Sequence, residues 1–150
     1  MKLSDLLIPE FDQEMTTARK TLERIPEDKL SWKPHQKSMP LDRLAGHIAE
    51  LAGWAVPTIE QDSLDFRPPG QPPFQPTFAT SQKQVLGIFD KNREASRRSI
   101  AGASDEHLMK TWTLLSGGTT ILSMPALRSS ELFASITSFI IAPSSESICV

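Results

Sequence analysis

The chain has 150 residues, 39% of them apolar and 23% charged, which fits one globular domain with a sizeable core. Its net charge of −2 argues against nucleic acid as the main partner, because phosphate binding rests on clustered Lys and Arg. A single cysteine, Cys149, excludes an internal disulfide and a multi-cysteine metal site.

Asp5, Glu10 and Asp12 make the start unlike a signal peptide. The longest apolar run, Leu132 to Ala142, falls short of the about 20 residues that span a bilayer. A cytoplasmic protein without membrane contact is expected.

The first helix is expected over Ser4 to Ile25. Leu7, Phe11, Met15, Ala18, Leu22 and Ile25 recur at spacings of three and four, the seam of a bundle helix. Ser4 is the expected N-cap, and Pro9 lies early enough to be tolerated. Pro26 ends the helix by pushing Ile25 out of the helical region. A connection follows to Met39, with one short turn at Glu27 to Leu30. Trp32 is expected to cap the core from it, and His35 to sit exposed between Pro34 and Gln36.

The second helix starts near Ser38 to Pro40, with Ser38 as cap, and runs to about Gln61, bent near Pro57. In Leu41 to Trp54, Leu41, Leu44, Ile48, Leu51 and Ala55 make one buried stripe. Leu44, His47, Leu51 and Trp54 make a second row beside it. His47 is therefore set sideways against whatever the stripe packs on.

Ser63 to Ala79 holds five prolines, at 68, 69, 72, 73 and 76, too many for a helix or a central strand. It is expected as a long extended crossover, which lets the flanking helices lie parallel. The third helix begins at Ser81, with Gln84 completing a capping box, and ends near Gly102. Its basic run, Lys91 to Arg98, also carries Glu94 and reads as a solvated face. Ser104 to Glu106 open a short helix with His107 on the surface. Trp112 to Leu115 and Thr119 to Leu122 read as two strands around Ser116-Gly117-Gly118, a hairpin that must pack on the helices.

After Pro125 the composition changes. Residues 129–150 hold no Lys, Arg, Asp or His, and seven of the 22 are serine. Leu132, Phe133, Ile136, Phe139, Ile140 and Ile141 suit a fourth helix, one that lacks a charged face. The tail from 143 to 150 is expected to be disordered. The fold class expected is all-α. One domain spans residues 1–142, aberrant over 126–142.

Four stretches carry a resemblance: L-L-I-P-E-F-D-Q-E-M at 6–15, W-K-P-H-Q-K-S-M at 32–39, L-A-G-H-I-A-E-L at 44–51 and M-K-T-W-T-L at 109–114. In order and spacing they resemble the DinB family (DinB/YfiT-like), over about Met1 to Leu127. The resemblance implies a four-helix bundle with a long connection between helices 2 and 3. It also implies a divalent metal, nickel or zinc, bound by three histidines, with low-molecular-weight thiols among the substrates and a homodimer as assembly. One ligand lies on helix 2, and His47 matches it. The other two lie one turn apart on helix 4, in a run resembling N-H-x-x-H-H-R, and nothing like that run is present here.

A catalytic metal of this kind takes about three protein ligands and one open position. With His47 as its one metal ligand and no catalytic residue assignable, this chain is expected to bind no metal. The expectation is a protein from a lineage of metal-dependent enzymes, thiol transferase or hydrolase-like, that has lost its site and activity. Its small-molecule substrate is not legible. The alternative is a non-catalytic bundle that serves as an interaction module, or a non-functional product of a frameshift. The frameshift hypothesis has a specific basis. Codons built from the last base of each codon and the first two of the next permit Ser135 to Val150 to read N-H-F-I-H-H-R-A-K-L-R-V-Y-L-R. A one-base shift after about Leu127 would then have replaced helix 4.

Overall fold

Residues 1–128 are described by the structure, a computed structural model. Helix α1 spans Leu3–Leu22 and a 3-10 turn Glu27–Lys29. Helices α2 (Leu41–Leu51) and α3 (Ala55–Glu60) precede strand β1 (Ser63–Asp65). Then come α4 (Gln82–Gly102), α5 (Asp105–Met109), β2 (Thr111–Ser116) and β3 (Thr119–Pro125). The all-α expectation is corrected: of the described residues, helix takes 54% and strand 12%. The strands form one mixed sheet in the order β1-β2-β3, with β1 parallel and β3 antiparallel to β2.

The physical cause of the correction is the open edge of the hairpin. Two strands alone are marginal, and β2 presents an unpaired row of N–H and C=O groups. Residues 62–66 fill that row. Thr113 N–H donates to the Asp62 carbonyl at 3.2 Å, and Phe66 N–H donates to the Leu115 carbonyl at 3.1 Å. The hairpin turns at Gly117 and Gly118, both at positive φ, 59° and 81°, as a tight two-residue hairpin requires. The Asp65 carboxylate then accepts from Gly117 N–H at 2.9 Å and Gly118 N–H at 2.8 Å, which ties the third strand to the turn.

Helix α1 buries Leu7, Met15, Ala18 and Leu22, the expected stripe. Its start differs from the Ser4 cap. Ser4 lies inside the first turn and is buried. Two carboxylates serve the free N–H groups instead: Asp5 accepts from Lys2 N–H at 3.1 Å, and Asp105 accepts from Leu3 N–H at 2.8 Å. Against α4, the helix is stapled by two charge pairs. Arg19 donates to Asp90 through two nitrogens at 2.8 and 2.9 Å, and Arg97 Nε donates to Asp12 at 2.9 Å. The pairing of 19 with 90 and 12 with 97 makes α1 and α4 antiparallel.

The second helix is not continuous. It stops at Leu51, turns through Ala52 to Trp54, and restarts as α3. Pro57 explains the place of the break, one turn ahead of itself: it lacks an N–H, and its ring crowds the carbonyl four residues back, at Gly53. The break frees the carbonyls of Ala49 and Ala52, and α4 satisfies both. Asn92 Nδ2 donates to Ala49 at 2.8 Å and Ser96 Oγ to Ala52 at 2.6 Å. With Ser99 donating to Glu60 at 2.6 Å, the three contacts advance together along both chains. The α2–α3 unit and α4 therefore run parallel, as the long crossover permits.

The third helix keeps its expected cap: Ser81 Oγ accepts from Gln84 N–H at 3.0 Å, while Gln84 reaches back to Thr80 N–H at 3.0 Å. Ser104 caps α5 through His107 N–H at 3.1 Å. Trp32 does not cap the core. Its ring is 56% exposed, and the loop is used through its backbone carbonyl, which accepts from Leu41 N–H at 3.0 Å. Under the sheet, Trp112, Leu114 and Ala126 form their own cluster with Trp54, Leu64 and Phe66 packed on it. Trp112 is satisfied by donating from Nε1 to the Pro57 carbonyl at 3.2 Å.

Among the described residues no helix is long and apolar enough to cross a membrane. The aberrant fourth helix over 126–142 and the tail over 143–150 lie outside the described residues, except for a helical turn at Ala126, Leu127 and Arg128.

Candidate functional site at the His47 cleft

Arg43, His47 and Glu50 stand at i, i+4 and i+7 on α2, one above another on a single face. They form the polar end of a cleft of about 690 Å³, a size suited to a small molecule. The opposite wall is apolar and comes from Trp54, Leu64, Phe66, Pro72 and Phe74. Trp54 and Phe66 have ring centres 5.4 Å apart, and Phe66 meets Phe74 edge to face at 6.3 Å. Strand β1 and the proline-rich crossover thus supply one wall, and α2 the other.

The crossover is held on α2 by its backbone. Gly46 has no side chain, and a Cβ there would stand 2.0 Å from the Thr77 carbonyl oxygen. Only glycine lets the crossover lie directly on the helix. Arg43 and Glu50 then clasp the same residue from both sides. Arg43 Nη1 donates to the Thr77 carbonyl at 3.0 Å, and Glu50 Oε1 accepts the Thr77 N–H. The pair is closed by two parallel bonds from Arg43 to Glu50 at 3.2 and 3.1 Å, with both side chains 15% exposed. Arg43 also lies over the Phe78 ring, 5.9 Å from its centre.

His47 faces this clasp. Its Nδ1 is buried, lies 3.5 Å from Glu50 Oε2, and makes no hydrogen bond among the described residues. The ring is one-third exposed, so the part open to the cleft is its Nε2 side. A carboxylate beside Nδ1 favours the proton there and leaves Nε2 as the free acceptor. On the sheet side, Asp65 is engaged by backbone donors. It accepts from Arg67 N–H at 2.8 Å and from the two hairpin glycines, and these bonds hold its carboxyl below the usual aspartate value, Arg67 first.

The other histidines lie elsewhere. His35 is exposed in its loop, its Nδ1 accepting from Lys37 N–H at 3.2 Å. His107 is not the free surface residue expected of it. It is half-buried on α5, with Nε2 against the Ile59 carbonyl. Among the described residues, no group of three His, Cys, Asp or Glu side chains is placed to hold a metal ion. His47 has Glu50 alone beside it, and Glu50 is committed to Arg43 and Thr77. The described residues therefore do not complete the metal site that the resemblance implies.

The i, i+4, i+7 polar row was open to a sequence reading, since 43, 47 and 50 share a face once α2 is drawn. The aromatic wall was not, because Phe66 and Phe74 lie in a segment without periodicity.

No curated protein and no solved structure matches the chain. A family model, described as the DinB superfamily, matches residues 10–127, which take in α2, the crossover and the sheet. The chain belongs to the DinB superfamily.

Proposed function

We propose that this protein descends from metal-dependent enzymes, thiol transferase or hydrolase-like, and has lost the metal site and the metal-dependent activity while keeping a small-molecule cleft. The observation that carries the reading is the isolation of His47. Its nearest carboxylate is locked into the Arg43–Glu50–Thr77 clasp. Withdrawing Glu50 to ligate a metal would strand Arg43, and removing one partner of a part-buried pair costs about 3–5 kcal/mol. Residues 129–150 contribute no histidine. One imidazole does not hold nickel or zinc tightly where about three ligands are the norm.

Calorimetric titration of the apoprotein with nickel and with zinc tests this. The expected result is no stoichiometric uptake, and the same trace for His47→Ala. One equivalent bound by the natural chain and lost in His47→Ala would overturn it.

A further inference from the structure

The α2 side of the cleft offers no free cation among the described residues. Arg43 and Glu50 neutralise each other through two bonds, and both also grip Thr77. The Asp65 carboxylate accepts three backbone N–H groups. Asn92 donates one amide N–H to the Ala49 carbonyl. Among the described residues that line the cleft no cation is unpaired, and the one carboxylate without a cationic partner, Asp65, is turned onto backbone N–H groups. Among the described residues, His47 Nε2 and the side-chain oxygen of Asn92 line the cleft without a hydrogen bond, and of the two only His47 belongs to the α2 row.

The other wall is incomplete in the opposite sense. Phe74 is 53% exposed although its ring edge already meets Phe66. Phe66 in turn stacks at a tilt of 36° on Trp54. An aromatic row that ends in an exposed phenylalanine at the mouth of a cleft is apolar surface left for a ligand to cover.

We infer that the cleft takes an uncharged aromatic ligand that carries a single hydrogen-bond donor of the phenol type. Its ring lies against Trp54, Phe66 and Phe74, and its O–H donates to His47 Nε2. This rests on the reading that the cleft works without metal. No group is transferred and no bond is made or broken. Phe74 sets the ring preference, and His47 sets the preference for a donor.

Calorimetry of the full chain in a chelator tests it with four probes of one ring size: naphthol, methoxynaphthalene, naphthalenesulfonate and naphthylmethylamine. Naphthol is expected to bind. Methoxynaphthalene, which lacks the donor, should bind about tenfold more weakly, the effect of one hydrogen bond. Neither charged probe should bind more tightly than naphthol. In His47→Ala, naphthol and methoxynaphthalene should bind alike. In Phe74→Ala, a surface truncation that leaves the core intact, both should weaken. No binding of naphthol, equal binding of naphthol and methoxynaphthalene to the natural chain, or tightest binding of a charged probe would overturn the inference. Metal uptake at His47 with the naphthol preference intact in chelator would overturn the function proposed above and leave this inference standing. Loss of the preference without metal uptake would do the reverse.

Discussion

Gly46→Ala is a one-carbon change that strikes the contact between the crossover and α2. The new Cβ would stand 2.0 Å from the Thr77 oxygen and 2.6 Å from its carbonyl carbon, where ordinary contact begins at 3.4 Å. The crossover must lift by roughly 1.4 Å at Thr77, because the obstructing atoms are backbone. That lift stretches the Arg43 bond to the Thr77 carbonyl and the Glu50 bond to the Thr77 N–H. It also strains the neighbouring Ala79 N–H bond to the Asp42 carbonyl, at 3.0 Å. Hydrogen bonds to charged groups contribute about 1.5–3 kcal/mol each, and a neutral one about 1 kcal/mol. Alanine returns about 1 kcal/mol as the better helix former. With the bonds weakened rather than abolished, a net loss of about 2–4 kcal/mol is expected. Urea unfolding followed by circular dichroism measures it. Gly87→Ala is the control, since that glycine lies on the exposed face of α4 with nothing within 4 Å of a Cβ. It should gain up to about 1 kcal/mol. A Gly46→Ala protein as stable as the natural one, beside the expected gain at Gly87, would refute the clasp.

Other predictions follow from the same contacts. Asn92→Ala leaves the freed Ala49 carbonyl without its donor and should cost about 1–3 kcal/mol in urea unfolding; an unchanged midpoint would show that the break in the second helix needs no cap. Asp65→Ala removes the acceptor shared by the hairpin glycines, so amide exchange at Gly117 and Gly118 should quicken by about tenfold, with α1 amides unchanged. The Asp90 carboxyl lies below its ordinary value, held there first by the hydrogen bond from Arg19. A depressed folded value means the unfolded chain takes up protons first as pH falls. Its stabilisation is therefore full above about pH 4 and fades below that. The urea midpoint should decline on acidification through that range, and Asp90→Asn should flatten the decline. An equal decline in the variant would remove Asp90 from the account.

The helices were legible because their buried stripes repeat at three and four, and the caps at Ser81 and Ser104 are short-range chemistry. The sheet was legible only as a hairpin. Ser63–Asp65 carries no alternation over its three residues, and its pairing is decided by a strand edge some fifty residues away. Trp32 misled because an aromatic beside a helix start suggests burial, whereas the loop docks through its backbone. His47 was found as a histidine on an apolar wall. Its neighbours Arg43 and Glu50 escaped because a charged pair at i and i+7 looks like solvated surface until the crossover covers it. Gly46 escaped for a related reason: the backbone that forbids a side chain there comes from residue 77.

The central claim is that His47 remains from a metal site whose other ligands are missing from the chain. Nickel and zinc stoichiometry, measured by mass spectrometry on two proteins, tests it most directly. One is the chain as it stands; the other has residues 135–150 replaced by the shifted-frame sequence N-H-F-I-H-H-R-A-K-L-R-V-Y-L-R. The natural chain should hold no metal. The replaced chain should hold one equivalent and lose it on His47→Ala. Metal bound by the natural chain through His47, or none bound by the replaced chain, would contradict the claim.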